Sequence, residues 1–253
     1  MQYRLMIDAS NPPNPAAVEA LNTKVQNTLI IAGYIGGDTP HVWTQSEWES
    51  YSEIPGKVGI FVPPQNPAIY NGESGVTWGH NAMDAMPDYL PVDAVVVIDI
   101  EHAMWTQNPI GVNKALGNFV TTLQTHEYQA GVYAPYDAFL GWPQVPDLAW
   151  VSGTPNDFLQ PPALDERVTS YLQSIKSLAP FVALQYLVSQ QLDGSGVDYS
   201  LVMSTTTEES PIVTTPHPTT TVTGTTTETQ TKAEIQKETA QAIVDYITKT
   251  WLE

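Results

Sequence analysis

Two carboxylates close the most hydrophobic run in the chain: Val95-Val96-Val97-Ile98-Asp99-Ile100-Glu101. At i, i+2 in an extended segment, Asp99 and Glu101 share a face, with Cα atoms roughly 6–7 Å apart, while Ile98 and Ile100 take the other. Acids so placed repel each other's ionisation, and one then holds its proton to a higher pH than usual. A proton-holding carboxyl beside an ionised one is the pair that cleaves glycosidic bonds. A second run, Arg4-Leu5-Met6-Ile7-Asp8, also ends in an acid, and Asp198 lies late in the chain within Gly196-Val197-Asp198-Tyr199. Asp193, in an Asp-Gly turn, is a further acid expected near the same place. Aromatic residues near these segments, Tyr34, Trp105, Tyr133, Tyr136, Trp150 and Tyr186, offer faces on which sugar rings stack, with Gln185 beside the last of them. Taken singly, each aromatic is as readily explained by packing.

Such residues must be carried by elements that converge. Strands are expected at 4–8, 29–34, 58–62, 94–100, 131–134, 148–151, 181–185 and 199–203. Helices are expected at 15–27, 45–52, 77–89, 111–127 and 163–177, with Asn14 able to cap the first and Pro15 at its start. Near-continuous apolar strands alternating with helical windows indicate a parallel α/β architecture. A closed (β/α)8 TIM-type barrel is preferred to an open sheet, because no Gly-x-Gly-x-x-Gly follows the first strand. In such a barrel the C-terminal strand ends form the active-site face.

Composition narrows the chemistry. The chain has 253 residues, nine basic against 27 acidic, and a net charge of -18. That balance excludes nucleic acid as the expected partner and leaves a neutral polymer such as a polysaccharide. With no cysteine, thiol chemistry, disulfides and Cys-bound zinc are excluded. The five histidines are scattered with no His-x-x-x-His, so neither metal nor cofactor is expected. No run is long and apolar enough to span a bilayer, and the N-terminus does not read as a signal peptide. The expectation is synthesis in the cytoplasm and action in a virion or at the cell wall.

Three regions follow from composition: a barrel over 1–203, a Thr/Pro-rich linker over 204–231, and an amphipathic helix over 232–253. In the last, Ile235, Thr239, Ala242, Ile243, Tyr246, Ile247 and Trp251 fall on one face. That stripe suits docking, self-association or anchoring to a virion protein.

The ordered segments Ile7-Asp8-Ala9-Ser10, Ile98-Asp99-Ile100-Glu101, Ala149-Trp150-Val151, Gln185-Tyr186 and Val197-Asp198-Tyr199 resemble the family-25 glycoside hydrolases, lysozyme-type muramidases of bacteria and phages. Ala32-Gly33-Tyr34-Ile35-Gly36-Gly37, Trp43-Thr44 and Gly59-Ile60-Phe61-Val62-Pro63 look closer to a related set of glycoside-hydrolase-like barrels from actinobacteria and their phages. The chain departs from the family-25 pattern in lacking a Gln soon after Ser10 and in having Leu184 before Gln185. The resemblance covers about residues 3–203. It implies a barrel that cleaves the β-1,4 bond between N-acetylmuramic acid and N-acetylglucosamine. Glu101 would be the general acid. Asp99 would assist the acetamido group or stabilise positive charge at the sugar. Asp8 and Asp198 would position the substrate, with Tyr34, Tyr133, Trp150, Gln185 and Tyr186 around it. The alternative is a non-catalytic or glycan-binding barrel serving as a virion component, in the tail or as a decoration.

Overall fold

A computed structural model describes residues 3–87, 90–91, 94–140, 144–152 and 164–205, the side chains of 164–167 excepted. The expected linker and C-terminal helix lie outside the described residues, apart from Ser204 and Thr205. Eight strands form a closed barrel in sequence order: β1 (Tyr3–Asp8), β2 (Ile30–Gly37), β3 (Gly56–Val62), β4 (Val95–Asp99), β5 (Gln129–Ala134), β6 (Leu148–Ser152), β7 (Phe181–Leu192) and β8 (Ser195–Ser204). Around them run α1 (Pro15–Lys24), α2 (Gln45–Glu49), α3 (Gly72–Ala85), α4 (His102–Gln107), α5 (Pro109–Thr125) and α6 (Leu164–Ile175).

The expected all-parallel barrel needs one correction. β1 to β7 are parallel in succession, but β8 pairs antiparallel with both β7 and β1. Only Asp193 and Gly194 separate β7 from β8, and both have positive φ, 49° and 83°. A two-residue connection of this kind makes a hairpin, whereas a parallel crossover needs a dozen residues or more. β7 also runs to Leu192, well past the expected Gln185, so the hairpin extends beyond the ring of strands.

Other differences are local. α4 was not expected; it begins directly after Glu101, and Asn108 then caps α5 by accepting from the Gly111 N–H at 3.0 Å. α3 begins at Gly72 rather than Thr77, because Asn71 and Ser74 form a reciprocal cap, each at 2.9 Å.

Alternation sorts the strand residues into two cores. Met6, Ile30, Val58, Val95, Val97, Leu148, Phe181 and Val202 fill the barrel, whereas Leu5, Ile7, Ile31, Val96, Ile98, Val132 and Leu184 face the helices. One or two inward positions further along each strand lies the mouth. Outside the barrel, α3 and α5 pack closely because small residues face one another. A Cβ on Gly75 would come within 2.0 Å of the Ala115 carbonyl oxygen. Backbone cannot retreat as a side-chain tip can, so Gly75→Ala should destabilise the protein by about 2 kcal/mol or more, read as a lower urea midpoint at unchanged slope.

Candidate active site

The mouth is a small pocket, open to solvent and lined by Asp8, Tyr34, Ile60, Asp99, Glu101, Tyr133, Trp150, Gln185 and Asp198. Eight of the nine lie on strands, one from each, and Glu101 lies just beyond β4. Asp8 ends β1 and Asp99 ends β4. Asp198 lies near the start of β8, which reaches the same rim because that strand runs the opposite way. In the β1–β8 register Asp8 and Asp198 are direct partners, and Asp99 pairs with Tyr133. Glu101 occupies the N-cap position of α4, with extended backbone (φ -70°, ψ 152°) and no cap hydrogen bond from its side chain. The carboxyl is therefore left to the pocket, and Glu101 is the most exposed of the four acids. Asp8 and Asp99 are 8% and 9% exposed.

A chain of hydrogen bonds crosses the mouth. The Tyr133 hydroxyl donates to Gln185 Oε1 at 2.7 Å, and Gln185 Nε2 donates to Asp198 Oδ2 at 3.1 Å. Asp198 Oδ1 accepts from the Ser189 backbone N–H at 2.5 Å. Ser189 has φ 53°, in a stretch where the β7–β8 register slips. The bulge turns that N–H toward the carboxylate rather than into the ladder. Below, Trp150 meets Tyr133 edge-on, with ring centroids 5.0 Å apart, and its Nε1 donates to Ser200 Oγ at 2.9 Å.

Four acids in one pocket are electrostatically expensive. All four pKa values are raised, with burial the largest cause in each. Asp8 goes well above the ordinary range, with Asp198, Asp99 and Glu101 adding to the effect and the Gln185 side chain opposing it. Asp99 is pushed up to about 8, Glu101 adding to burial. Asp198 adds to the rise at Glu101, while at Asp198 itself the Ser189 N–H pulls the other way. Tyr34 and Tyr133 are raised above their ordinary values by burial and by the same acids, so both keep their hydroxyl protons. The cluster thus carries at least one proton at neutral pH, shared among coupled groups.

The pocket brings together Asp8, Asp99, Glu101, Asp198, Tyr34, Tyr133, Trp150 and Gln185. It does not include Tyr186, for a simple reason. Gln185 points inward, so its neighbour points outward, and Tyr186 is 6% exposed in the core beneath the helices. Trp105 also packs against that core. Tyr136 stands outside the pocket against Tyr171, ring centroids 6.3 Å apart. Asp193 sits at the hairpin tip and accepts from the Asn14 amide, tying the hairpin to the cap of α1. Trp150, 1% exposed, presents almost no face and serves as a floor for Tyr133. Sequence reading missed Ile60, Ser189 and Ser200. Inward alternation from Val58 and Asp198 identifies Ile60 and Ser200, but nothing in a serine announces a positive φ. Among the described residues no group of three or more His, Asp or Glu is arranged to hold a metal ion.

No protein-family model matches the chain, and no curated protein sequence does. Among solved structures, the modular autolysin LytC from Streptococcus pneumoniae, determined in complex with a synthetic peptidoglycan ligand, has a TM-score of 0.51 at 11% identity, over 79% of this chain and 47% of that one. The chain thus spans about half the autolysin's length. An uncharacterized B. stearothermophilus protein has a TM-score of 0.49 at 13% identity, over 78% and 94%. A multimodular pneumococcal cell-wall endolysin from phage Cp-1, complexed with choline, has 0.46 at 12%, over 81% and 56%. At these identities the likeness to the autolysin is one of fold.

The electrostatics have a direct signature in stability. Asp99 holds its proton in the folded chain up to about pH 8, whereas an unfolded chain releases it near pH 4. Between those limits the folded state binds the extra proton, so stability falls as pH rises. Asp99→Asn removes that contribution. Its melting temperature relative to the unaltered protein should climb steadily from about pH 4 to about pH 8, where the gain is on the order of a few kcal/mol. A constant difference across the range would mean that Asp99 ionises normally.

Proposed function

We propose that the barrel is a peptidoglycan-directed glycoside hydrolase of the muramidase type. The observation that carries this is the convergence of Asp8, Asp99, Glu101 and Asp198, from β1, β4 and β8, on one solvent-open pocket flanked by tyrosines. Peptidoglycan comes into the reading from the family-25 resemblance of the sequence. The fold it shares with an autolysin is compatible with that substrate.

In the reaction, Glu101 at the rim gives its proton to the glycosidic oxygen as the bond from that oxygen to the anomeric carbon breaks. Its pKa, raised by burial and by Asp198, keeps that proton available. Positive charge develops at the sugar and is met by Asp99, directly or through the substrate's acetamido group, the proton that Asp99 holds at rest passing within the coupled cluster as that charge draws near. Water supplies hydroxide to the anomeric carbon, and its second proton returns the acid to its starting state. Asp8 and Asp198 hold the substrate, with Gln185 and Tyr133 fixing Asp198. Tyr34 and Tyr133 stand where sugar rings would lie. On this reading the protein works at the cell wall, alone or as part of a virion.

The second reading is a non-catalytic or glycan-binding barrel of a virion; the net charge of -18, which repels the anionic polymers of bacterial walls, counts against a free lysin. Release of reducing ends from purified peptidoglycan separates the two. The hydrolase should release them, and Glu101→Gln should lower the rate by about 10²-fold or more. Activity should decline as pH rises through the raised pKa of Glu101. Wild-type protein inactive on several purified walls, or Glu101→Gln as fast as wild type, would overturn the hydrolase.

A further inference from the structure

The pocket has four carboxyl groups and no basic residue among the nine that line it. Two of its oxygens, Asp8 Oδ2 and Asp99 Oδ1, are buried with no hydrogen-bond partner, on side chains more than nine-tenths buried. A buried acceptor without a donor is costly, and both side chains line the pocket. What they lack is a donor that also carries positive charge or is at least neutral.

The surroundings reinforce the same sign. Asp38, Glu47 and Asp137 lie on the segments that leave β2 and β5 at the mouth. The lysines and arginines whose side chains are described lie elsewhere. Arg4 and Lys57 are second in their strands, at the far end. Lys24 ends α1 and Lys176 follows α6, both returning to that end. Lys114 is exposed on α5, outside the pocket. Acids such as Glu53, Glu127 and Asp147 stand at the far end as well, so what sets the pocket apart is its own lining of four acids and no base.

We propose that the pocket selects sugar residues that are uncharged or carry a protonated amine, glucosamine residues foremost, and rejects residues bearing a free carboxylate. This rests on the reading of the mouth as a saccharide site and names the sugar it takes. An ammonium group brings three N–H donors to a cluster of acceptors, and its charge lowers the cost of ionising the surrounding carboxyls. A carboxylate in the same place meets up to three like charges at neutral pH and no basic side chain of the lining. In intact peptidoglycan the lactyl carboxyl is held in an amide to the peptide stem and is neutral. Hydrolysis of that amide frees an anion. Glycan cleavage here must therefore precede the class of amidase that strips the stems.

The test is calorimetric titration of the full chain with three tetrasaccharides: tetraglucosamine, its fully N-acetylated counterpart, and tetragalacturonate. Tetraglucosamine should bind about tenfold tighter than the acetylated form, and tetragalacturonate should show no binding. Salt should narrow the ratio. Asp198→Asn and, as a rim variant that leaves the buried acids untouched, Glu101→Gln should each narrow it too. Tetragalacturonate binding as well as the acetylated form, a ratio near one, a ratio indifferent to both variants, or binding by none of the three would overturn the inference. No turnover is needed for this readout. A barrel that selects among the three but releases no reducing ends keeps this inference and loses the hydrolase. One that cleaves peptidoglycan without charge selection loses only this inference.

Discussion

Closure of the sheet is the constraint on which everything else depends. β8 completes the ring by pairing with β1 on one side and β7 on the other. In a closed ring every second side chain must point inward. The lower inward positions are filled mainly by apolar groups, from Met6 to Val202, with Ser200 kept there by its bond from Trp150. The uppermost inward positions face both the core and the solvent. There the chain places Asp8, Asp99, Gln185 and Asp198. The pocket is the last layer of the barrel interior, written in acids instead of hydrocarbons, and not a cleft added to a finished core.

That arrangement works against stability. Burial raises each carboxyl's pKa, and mutual repulsion adds to it. A structure selected for stability alone would place apolar side chains there. The strain is limited by two devices outside the apolar core. The Tyr133–Gln185 pair feeds a donor to Asp198 from one side, and the bulge at Ser189 feeds another from the opposite side. Asp198 is thereby the best-solvated acid of the set in terms of protein donors, while Asp8 and Asp99 each keep an oxygen without one. The asymmetry sets Asp198, which accepts from two protein donors, apart from Asp99, whose pKa is pushed up to about 8.

Much of this was legible in the sequence. Apolar strands ending in acids located Asp8, Asp99 and Glu101, because two-sided burial leaves an unbroken hydrophobic run and the acid marks where it meets water. The strand positions followed from the same signal. The direction of β8 did not, although Asp193-Gly194 is a strong hairpin dipeptide. Alternating β and α segments suggested a parallel repeat, and that expectation outweighed a two-residue cue. The misplacement of Tyr186 has the same root: adjacency to Gln185 was read as proximity, where alternation sends neighbours to opposite faces. Ser189 was beyond reach, since its positive φ comes from the register slip of a long hairpin and not from its own chemistry.

The reversed last strand also decides where the barrel hands over its chain. β8 starts at the rim and descends, so Ser204 pairs with Phe181 at the base. An eighth parallel strand would instead have delivered the backbone to the lip of the cavity. The stretch from Asp198 to Thr205 spans roughly 23 Å, which puts Thr205 at the opposite end of the barrel from the acids. Any bead, surface or carrier coupled through that point would hold the domain like a cup on its stem, with its opening turned outward and unobstructed.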